Sequence, residues 1–389
     1  MIHDYFNPVR SVYGEGALLS LPTLLGRRRA VLVTFPEAAA LGLVDQIRTL
    51  LGDRLAGVID DVRPNPDVAE LRGQYERFWR ETGNGSNGSN GSNGGNGSDG
   101  AKPGADVIVA LGGGSAIDTA KALMVGTASG RFDELLGLLQ RGEPFKPHAV
   151  KTLIAVPTTA GTGSEVTPWA TIWDRERQRK HSLHLPSTWP EIALVDPLLM
   201  MSLPPSVTLQ SGLDALSHAL EAIWNRNANP LSDTYAVSAA QDIFETLPAL
   251  MRRPQDRGLR ARMALAALKA GMAFSNTRTA LAHSISYEMT LRLGLPHGIA
   301  CSFPLPLVLQ MALGQSAERD AVLARALGLP LADAPGRLAA FLEGLGVQTS
   351  FASYGLGDVE ARELIARALT GARGRNFIGA DADTTEEIA

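Results

Sequence analysis

Cysteine is nearly absent from this chain. Cys301 is the only one among 389 residues, so no internal disulfide can staple the fold, and a reducing, cytoplasmic setting is expected. An excess of either charge is missing too: 36 basic against 40 acidic side chains leave a net charge of −4, which offers nucleic acid or an anionic membrane surface nothing to bind. No apolar run approaches the roughly 20 residues of a membrane span. The start, Met1 to Pro8, lacks the basic and apolar stretches of a signal peptide. What remains, 45% hydrophobic and 20% charged residues, is an ordinary globular composition, and at this length two domains are expected.

Apolar, β-branched runs recur through the first half. Ala30-Val31-Leu32-Val33-Thr34, Ala56-Gly57-Val58-Ile59-Asp60, Asp106-Val107-Ile108-Val109-Ala110-Leu111, Thr152-Leu153-Ile154-Ala155-Val156 and Ile192-Ala193-Leu194-Val195-Asp196 read as strands. Helical spacing over 38–52, in a three-aromatic segment ending near 82, and from Ala116 to Ala128 alternates with them, as in a parallel α/β sheet. Arg27-Arg28-Arg29 reads as a solvated stretch. Residues 83–100 repeat Asn-Gly with no apolar side chain and are expected to form a mobile loop. Beyond about residue 198, alanine and leucine recur at helical spacing. Helices are expected over 206–228, 231–251, 259–275, 278–291 and 298–312, with shorter ones at 317–327, 333–345 and 358–370. The chain thus divides into an α/β unit, 1–197, and an all-helical unit, 198–389.

Two turns in the α/β half suit a nucleotide. Gly112-Gly113-Gly114-Ser115 leaves a strand and opens a helix. Without side chains, its backbone N–H groups can close on a phosphate, where the helix N-terminus adds partial positive charge. It is not the G-x-G-x-x-G fingerprint. Pro157-Thr158-Thr159-Ala160-Gly161-Thr162-Gly163-Ser164-Glu165 offers small donors along an open backbone. In the helical half, Asp214 and His218 are four residues apart and so share a helix face. His283 and His297 come later, His283 inside an otherwise apolar stretch where burial without a partner is costly. One carboxylate and three imidazoles suit Fe²⁺ or Zn²⁺ and leave a position open for substrate.

Four blocks carry a family resemblance: Gly112-Gly113-Gly114-Ser115-x-x-Asp118-x-x-Lys121, Pro157-Thr158-Thr159-x-Gly161-Thr162-Gly163-Ser164-Glu165-Val166, Gly212-x-Asp214-Ala215-x-x-His218-x-x-Glu221, and Pro296-His297-Gly298. Their residues and order resemble the iron-dependent (group III) alcohol dehydrogenases, over roughly residues 5–370. The resemblance implies an N-terminal dinucleotide-binding α/β domain with a Rossmann-like parallel sheet, an all-α metal-binding C-terminal domain, and a cleft between them. It implies Asp214, His218, His283 and His297 as metal ligands. Gly112, Gly113, Gly114 and Ser115 would hold the pyrophosphate, and Thr158, Thr159 and Thr162 would line the nucleotide. Asn65, Asp118 and Lys180 would contact the cofactor, and Trp169 and Phe274 the substrate. A homodimer acting on a small-molecule aldehyde or alcohol is the family expectation.

Two positions depart from the better-known pattern. Lactaldehyde-reductase-like members carry, after the first strand, an aspartate that disfavours a 2′-phosphate; here it is Phe35, which leaves NADH and NADPH both open. Ten residues before His297, many members have a histidine implicated in proton transfer; here it is Tyr287, which can donate a proton, hold a water or fill space. The stretch from Phe274 to Tyr287, with Tyr5-Phe6-Asn7-Pro8-Val9, is most similar to the branch of phosphonate metabolism that reduces phosphonoacetaldehyde to 2-hydroxyethylphosphonate. Arg278, five residues before His283, suits an oxyanion independently of that likeness. The expected reaction is metal-assisted carbonyl reduction by NADH or NADPH, with His283 and Tyr287 nearest the chemistry. A short-chain alcohol or lactaldehyde dehydrogenase, and a dehydroquinate-synthase-like lyase, are the alternatives.

Overall fold

Alternating β-branched runs and amphipathic segments generate one parallel sheet. The computed structural model describes residues 2–83 and 104–381. Its strands are β1 (Arg10–Tyr13), β2 (Ala30–Thr34), β3 (Leu55–Ile59), β4 (Val107–Gly112), β5 (Val125–Gly126), β6 (Ala149–Val150), β7 (Thr152–Pro157), β8 (Trp169–Asp174), β9 (Arg179–His184) and β10 (Ile192–Val195). Between them run α1 (Leu21–Leu25), α2 (Leu43–Leu51), α3 (Val68–Thr82), α4 (Gly114–Leu123) and α5 (Asp133–Arg141). Six strands join in the order β1-β10-β7-β4-β2-β3, every pair parallel. Every residue of β2 and β4 is buried, as expected of central parallel strands covered on both faces.

Register brings the two glycine-rich turns together. Gly112 pairs with Pro157 at the end of the β4–β7 ladder, and Thr158 N–H donates to the Gly112 carbonyl at 2.9 Å. Both turns therefore leave the carboxyl edge of the sheet side by side, where open α/β sheets bind ligands. The antiparallel hairpin of β8 and β9, with Trp169 opposite His184 and Trp173 opposite Lys180, folds over that edge.

From Pro205 onward the regular elements are helical: α6 (Pro205–Ile223), α7 (Pro230–Arg252), α8 (Arg257–Thr277), α9 (Leu281–Leu293), α10 (His297–Ser302), α11 (Leu305–Ala312), α12 (Ala317–Leu327), α13 (Ala334–Gly344) and α14 (Asp358–Thr370). Residues 212–223 of α6 are buried on every face, so α6 is the central beam of this half, enclosed by α7, α8 and α10. Asn229 starts α7 with a capping box: its side chain accepts from Leu231 and Ser232 N–H, and Ser232 Oγ accepts from Asn229 N–H. Among the described residues no helix is long and apolar enough to cross a membrane.

Several sequence expectations are corrected. The helix expected to reach Ala128 ends at Leu123. Tyr75 Oη donates to the Val125 carbonyl and accepts from Thr127 N–H, and the Trp79 ring packs where a Gly126 side chain would be, so α3 draws the chain into β5. The helix expected over 38–52 starts only at Leu43, after Gly42 at φ 72°. The span expected over 298–312 divides into α10 and α11 around Phe303-Pro304, because proline supplies no N–H to continue a helix. Arg278 to Ala280 lie outside α9, and Arg278 caps α8 at φ 67°. Strand β1 and helix α5 had no reading in the sequence. Arg28 is not free in solvent; it ion-pairs with Glu191 at 2.6 Å. The stretch 83–100, beyond Gly83, falls outside the described residues.

Candidate metal and nucleotide site

The buried face of α6 carries Asp214 and His218 one turn apart. α9 delivers His283 and the first residue of α10 is His297. The Nε2 atoms of His218, His283 and His297 lie 3.7, 3.4 and 3.8 Å from Asp214 Oδ1. Asp214, His218 and His283 side chains are 3–6% exposed, whereas His297 is 31% exposed and faces the cavity.

Groups behind the imidazoles orient them. His283 Nδ1 lies 2.6 Å from Glu221 Oε2, and Glu221 also accepts from the backbone N–H of Ala280 and His283. His218 Nδ1 faces the Gly161 carbonyl at 3.3 Å, while its ring stacks between Phe274 and His283. Both contacts turn Nε2 toward Asp214, the usual way metal-binding histidines are held. Burial pulls His218 down to about 4 and His297 down to about 3, so both are neutral donors at neutral pH. Burial pushes the Asp214 carboxyl up, but the surrounding imidazoles outweigh it and hold the group well below the usual carboxylate range.

The donor set fits a divalent ion. Nε2 of His283, the atom facing Asp214, is buried with no hydrogen-bond partner, a situation that is costly unless something ligates it. By distance alone, the tightest group of four donors is Asp214, His283, His297 and Cys301, within 4.8 Å of one another. His218 is nevertheless the better fourth ligand. The Cys301 thiol is pushed well above its ordinary value by burial, so it stays protonated and donates to Asp214 Oδ1 at 3.5 Å. Sequence reasoning used Cys301 only to exclude disulfides and missed this contact.

A cavity of about 390 Å³ joins these donors to the nucleotide turns. Asn65, Gly114, Ser115, Asp118, Thr162 and Lys180 line it. Gly112, Gly113, Thr158 and Thr159 lie in the turns behind, outside the lining. Added Cβ atoms at Gly113 and Gly114 would stand 3.3 Å from Thr159 Cγ2 and 2.8 Å from Thr162 Cγ2, so the second turn cradles the first and leaves its backbone bare, as a phosphate needs. Ser115 Oγ accepts from Asn65 N–H, whose φ is 60°. Asp118 accepts from Ser164 Oγ and Thr171 N–H, and buried Lys121 donates to Ser164 Oγ and the Trp169 carbonyl. This network ties α4, the second turn and β8 into one wall. Asp118 lines the cavity and Lys121 lies behind it.

The aromatic wall runs Trp169, Phe274, His218, with Phe274 stacked 4.0 Å from the His218 ring. Tyr287 lines the cavity with its hydroxyl buried and without a partner; Lys180 Nζ lies 3.8 Å from its ring centre and the Arg373 guanidinium 4.8 Å. Arg278 lines the same cavity. Arg373 went unnoticed in the sequence because it sits in an irregular segment after α14 with no periodicity to mark it.

Two family models match the chain: one described as "Fe-containing alcohol dehydrogenase family, C-terminal" over residues 208–388, and one as "Iron-containing alcohol dehydrogenase" over residues 98–197. The NAD-dependent methanol dehydrogenase of Bacillus methanolicus is 32% identical over 381 residues, covering 94% of this chain and 92% of that one. Alcohol dehydrogenase 4 of Saccharomyces cerevisiae is 30% identical over 78% of this chain and 74% of its own. The crystal structure of sulfoacetaldehyde reductase from Bifidobacterium kashiwanohense in complex with NAD⁺ superposes with a TM-score of 0.85 at 26% identity, covering 100% of this chain and 96% of that one.

Proposed function

The chain belongs to the iron-containing alcohol dehydrogenase family, and on that premise we propose that it reduces small anionic aldehydes to alcohols with NADH at a metal held by Asp214, His218, His283 and His297. The observation that carries this reading is the shared cavity: the four donors and the two glycine-rich turns open into one space. An Fe²⁺ ion there supplies Lewis-acid polarisation of a carbonyl oxygen, and a nicotinamide supplies the hydride.

The chain's own residues do the rest. Glu221 and the Gly161 carbonyl hold the His283 and His218 rings so that Nε2 faces inward. Gly114, which lines the cavity, offers bare backbone to the pyrophosphate, with Gly113 behind it. Trp169 and Phe274 wall off water beside the donors. Tyr287, with its hydroxyl otherwise unpartnered, donates the proton from Oη to the new alkoxide. Arg278 meets the anionic end of the substrate: it lines the cavity, and among the described residues no carboxylate lies within ion-pairing distance of it. The likeness to sulfoacetaldehyde reductase, whose named substrate carries a sulfonate, supports an anionic aldehyde, and the resemblance of the Phe274 to Tyr287 stretch implies phosphonoacetaldehyde.

The metal-loaded enzyme should therefore turn over phosphonoacetaldehyde more efficiently than an uncharged aldehyde of similar length. Arg278→Ala should lower kcat/KM for the anionic substrate by about 100-fold, the scale of a lost charge-assisted contact. NADH absorbance reads both. Equal efficiency on both aldehydes, unmoved by the substitution, would sink the anionic reading and leave the short-chain alcohols named by the methanol-dehydrogenase relative.

Phe35 follows β2 and packs beside Gly112. It bears no charge to repel a 2′-phosphate, so NADPH should also serve. Phe35→Asp adds the missing repulsion and should shift the NADH to NADPH ratio of kcat/KM toward NADH by about 10-fold. A ratio already extreme in the parent, or unchanged in the variant, counts against this role.

A further inference from the structure

We infer that Arg373, acting with Arg278, is a specificity-determining residue that grips a tetrahedral oxyanion, a phosphonate or sulfonate, at the substrate's far end. The inference rests on the proposed aldehyde reduction and adds a second prong to its anion site.

Charge and pairing carry the argument. Arg278, Arg373 and Lys180 all line the cavity. Among the described residues none of the three has an ion-pair partner within 4.0 Å, and neither guanidinium makes a side-chain hydrogen bond. The carboxylates of the cavity are engaged elsewhere: Asp118 with Ser164 and Thr171, Asp214 with the imidazoles. Glu221 is the acid that acts on Arg373, but its oxygens face His283 and Ala280. Burial brings Arg373 down to about 10, and Arg278 adds to that lowering, so the two guanidiniums lie close enough to sense each other. Arg278 is exposed and Arg373 half-buried, and burial pulls the half-buried Lys180 well below its ordinary value, so two guanidiniums with no matching acid face one cavity and are complemented when an anion joins them. Planar guanidiniums suit the oxygens of such a group.

The backbone holds the two arginines in a fixed relation. Arg278 adopts φ 67°, which an L side chain rarely does, so its direction is imposed by its surroundings. Asn225 Nδ2 donates to the Arg278 carbonyl, and Asn376 Nδ2 donates to the Thr279 carbonyl. Asn376 belongs to the segment that carries Arg373. That segment is pinned at Gly374, where a Cβ would come within 1.9 Å of the Ala368 carbonyl oxygen. One asparagine thus ties the loop of one arginine to the loop of the other.

The test is the ratio of kcat/KM for an anionic aldehyde to that for an uncharged one. Arg373→Met should cut this ratio by about 30- to 100-fold, and Arg373→Lys should recover part of it. Phosphonoacetaldehyde and sulfoacetaldehyde form separate arms, and a larger loss with the first marks a dianion site. Competitive inhibition by methylphosphonate should weaken in parallel. If both aldehyde classes fall equally, or metal content falls, Arg373 is structural and the inference is overturned. If the parent favours anionic aldehydes and Arg373→Met leaves the ratio alone, the clamp fails and the reductase reading stands. If the parent has no such preference, yet methylphosphonate binding still depends on Arg373, the anion site stands and the substrate reading fails.

Discussion

Replacing Asp214 with alanine is expected to remove the metal and aldehyde reduction together. Asp214 is the sole carboxylate of the proposed ligand set, and the three nitrogens converge on its Oδ1 at 3.4–3.8 Å. Without it, an ion would meet three imidazoles and no compensating carboxylate, two of the rings kept neutral by burial. Lewis-acid polarisation is worth several kcal/mol, so kcat/KM should fall on the order of 10³-fold or more. Metal analysis and NADH oxidation should drop in step. Stability separates this from misfolding. In metal-free protein the buried carboxylate is held by its neighbours well below its ordinary range, a favourable contact the alanine variant lacks, so that variant should melt somewhat below metal-stripped parent but with the same cooperative transition. Full activity in metal-free parent would refute the site.

The second large effect is expected at a residue that binds nothing. A Cβ on Gly298 would stand 1.9 Å from the Gln210 carbonyl oxygen and 2.6 Å from its carbon. Those are backbone atoms of α6, fixed inside a buried helix, and cannot rotate aside. α10 would have to withdraw from α6, taking His297 away from Asp214. It would also strain the Ser217 Oγ to Cys301 carbonyl bond that joins the two helices. Gly298→Ala should cost about 3 kcal/mol of stability and weaken metal binding as well. Gly336→Ala, in α13 with nothing within 4 Å, is the control and should cost nothing. Thermal melts with and without metal compare the two; equal melting temperatures would overturn the close-packing argument.

Elements governed by local chemistry were legible in the chain. The β4 strand is a continuous apolar run, the two turns announce themselves in glycine and threonine, and Asp214 and His218 reveal a shared face through their spacing. His297 follows a proline that begins a helix. What escaped depends on partners remote in sequence. The end of α4 is decided by Tyr75 and Trp79, some 50 residues earlier. Arg278 reads as helical from its neighbours, yet Asn225 and the C-terminal segment hold it in a left-handed cap. Arg373 and Cys301 have ordinary local sequence, and only the tertiary fold brings them beside the site.

The uneven exposure of the four donors governs how an ion comes and goes. Asp214 and His218 ride on a helix that cannot move without dismantling the core, and His283 is clamped by Glu221. All four line the cavity, and His297 is the most exposed of them. For an ion held by these donors, exchange with free metal or a chelator is expected to run through the same chamber, and anything seated there would stand between the ion and bulk water. Its residence time should then follow occupancy of the cavity, and its affinity the packing of α6.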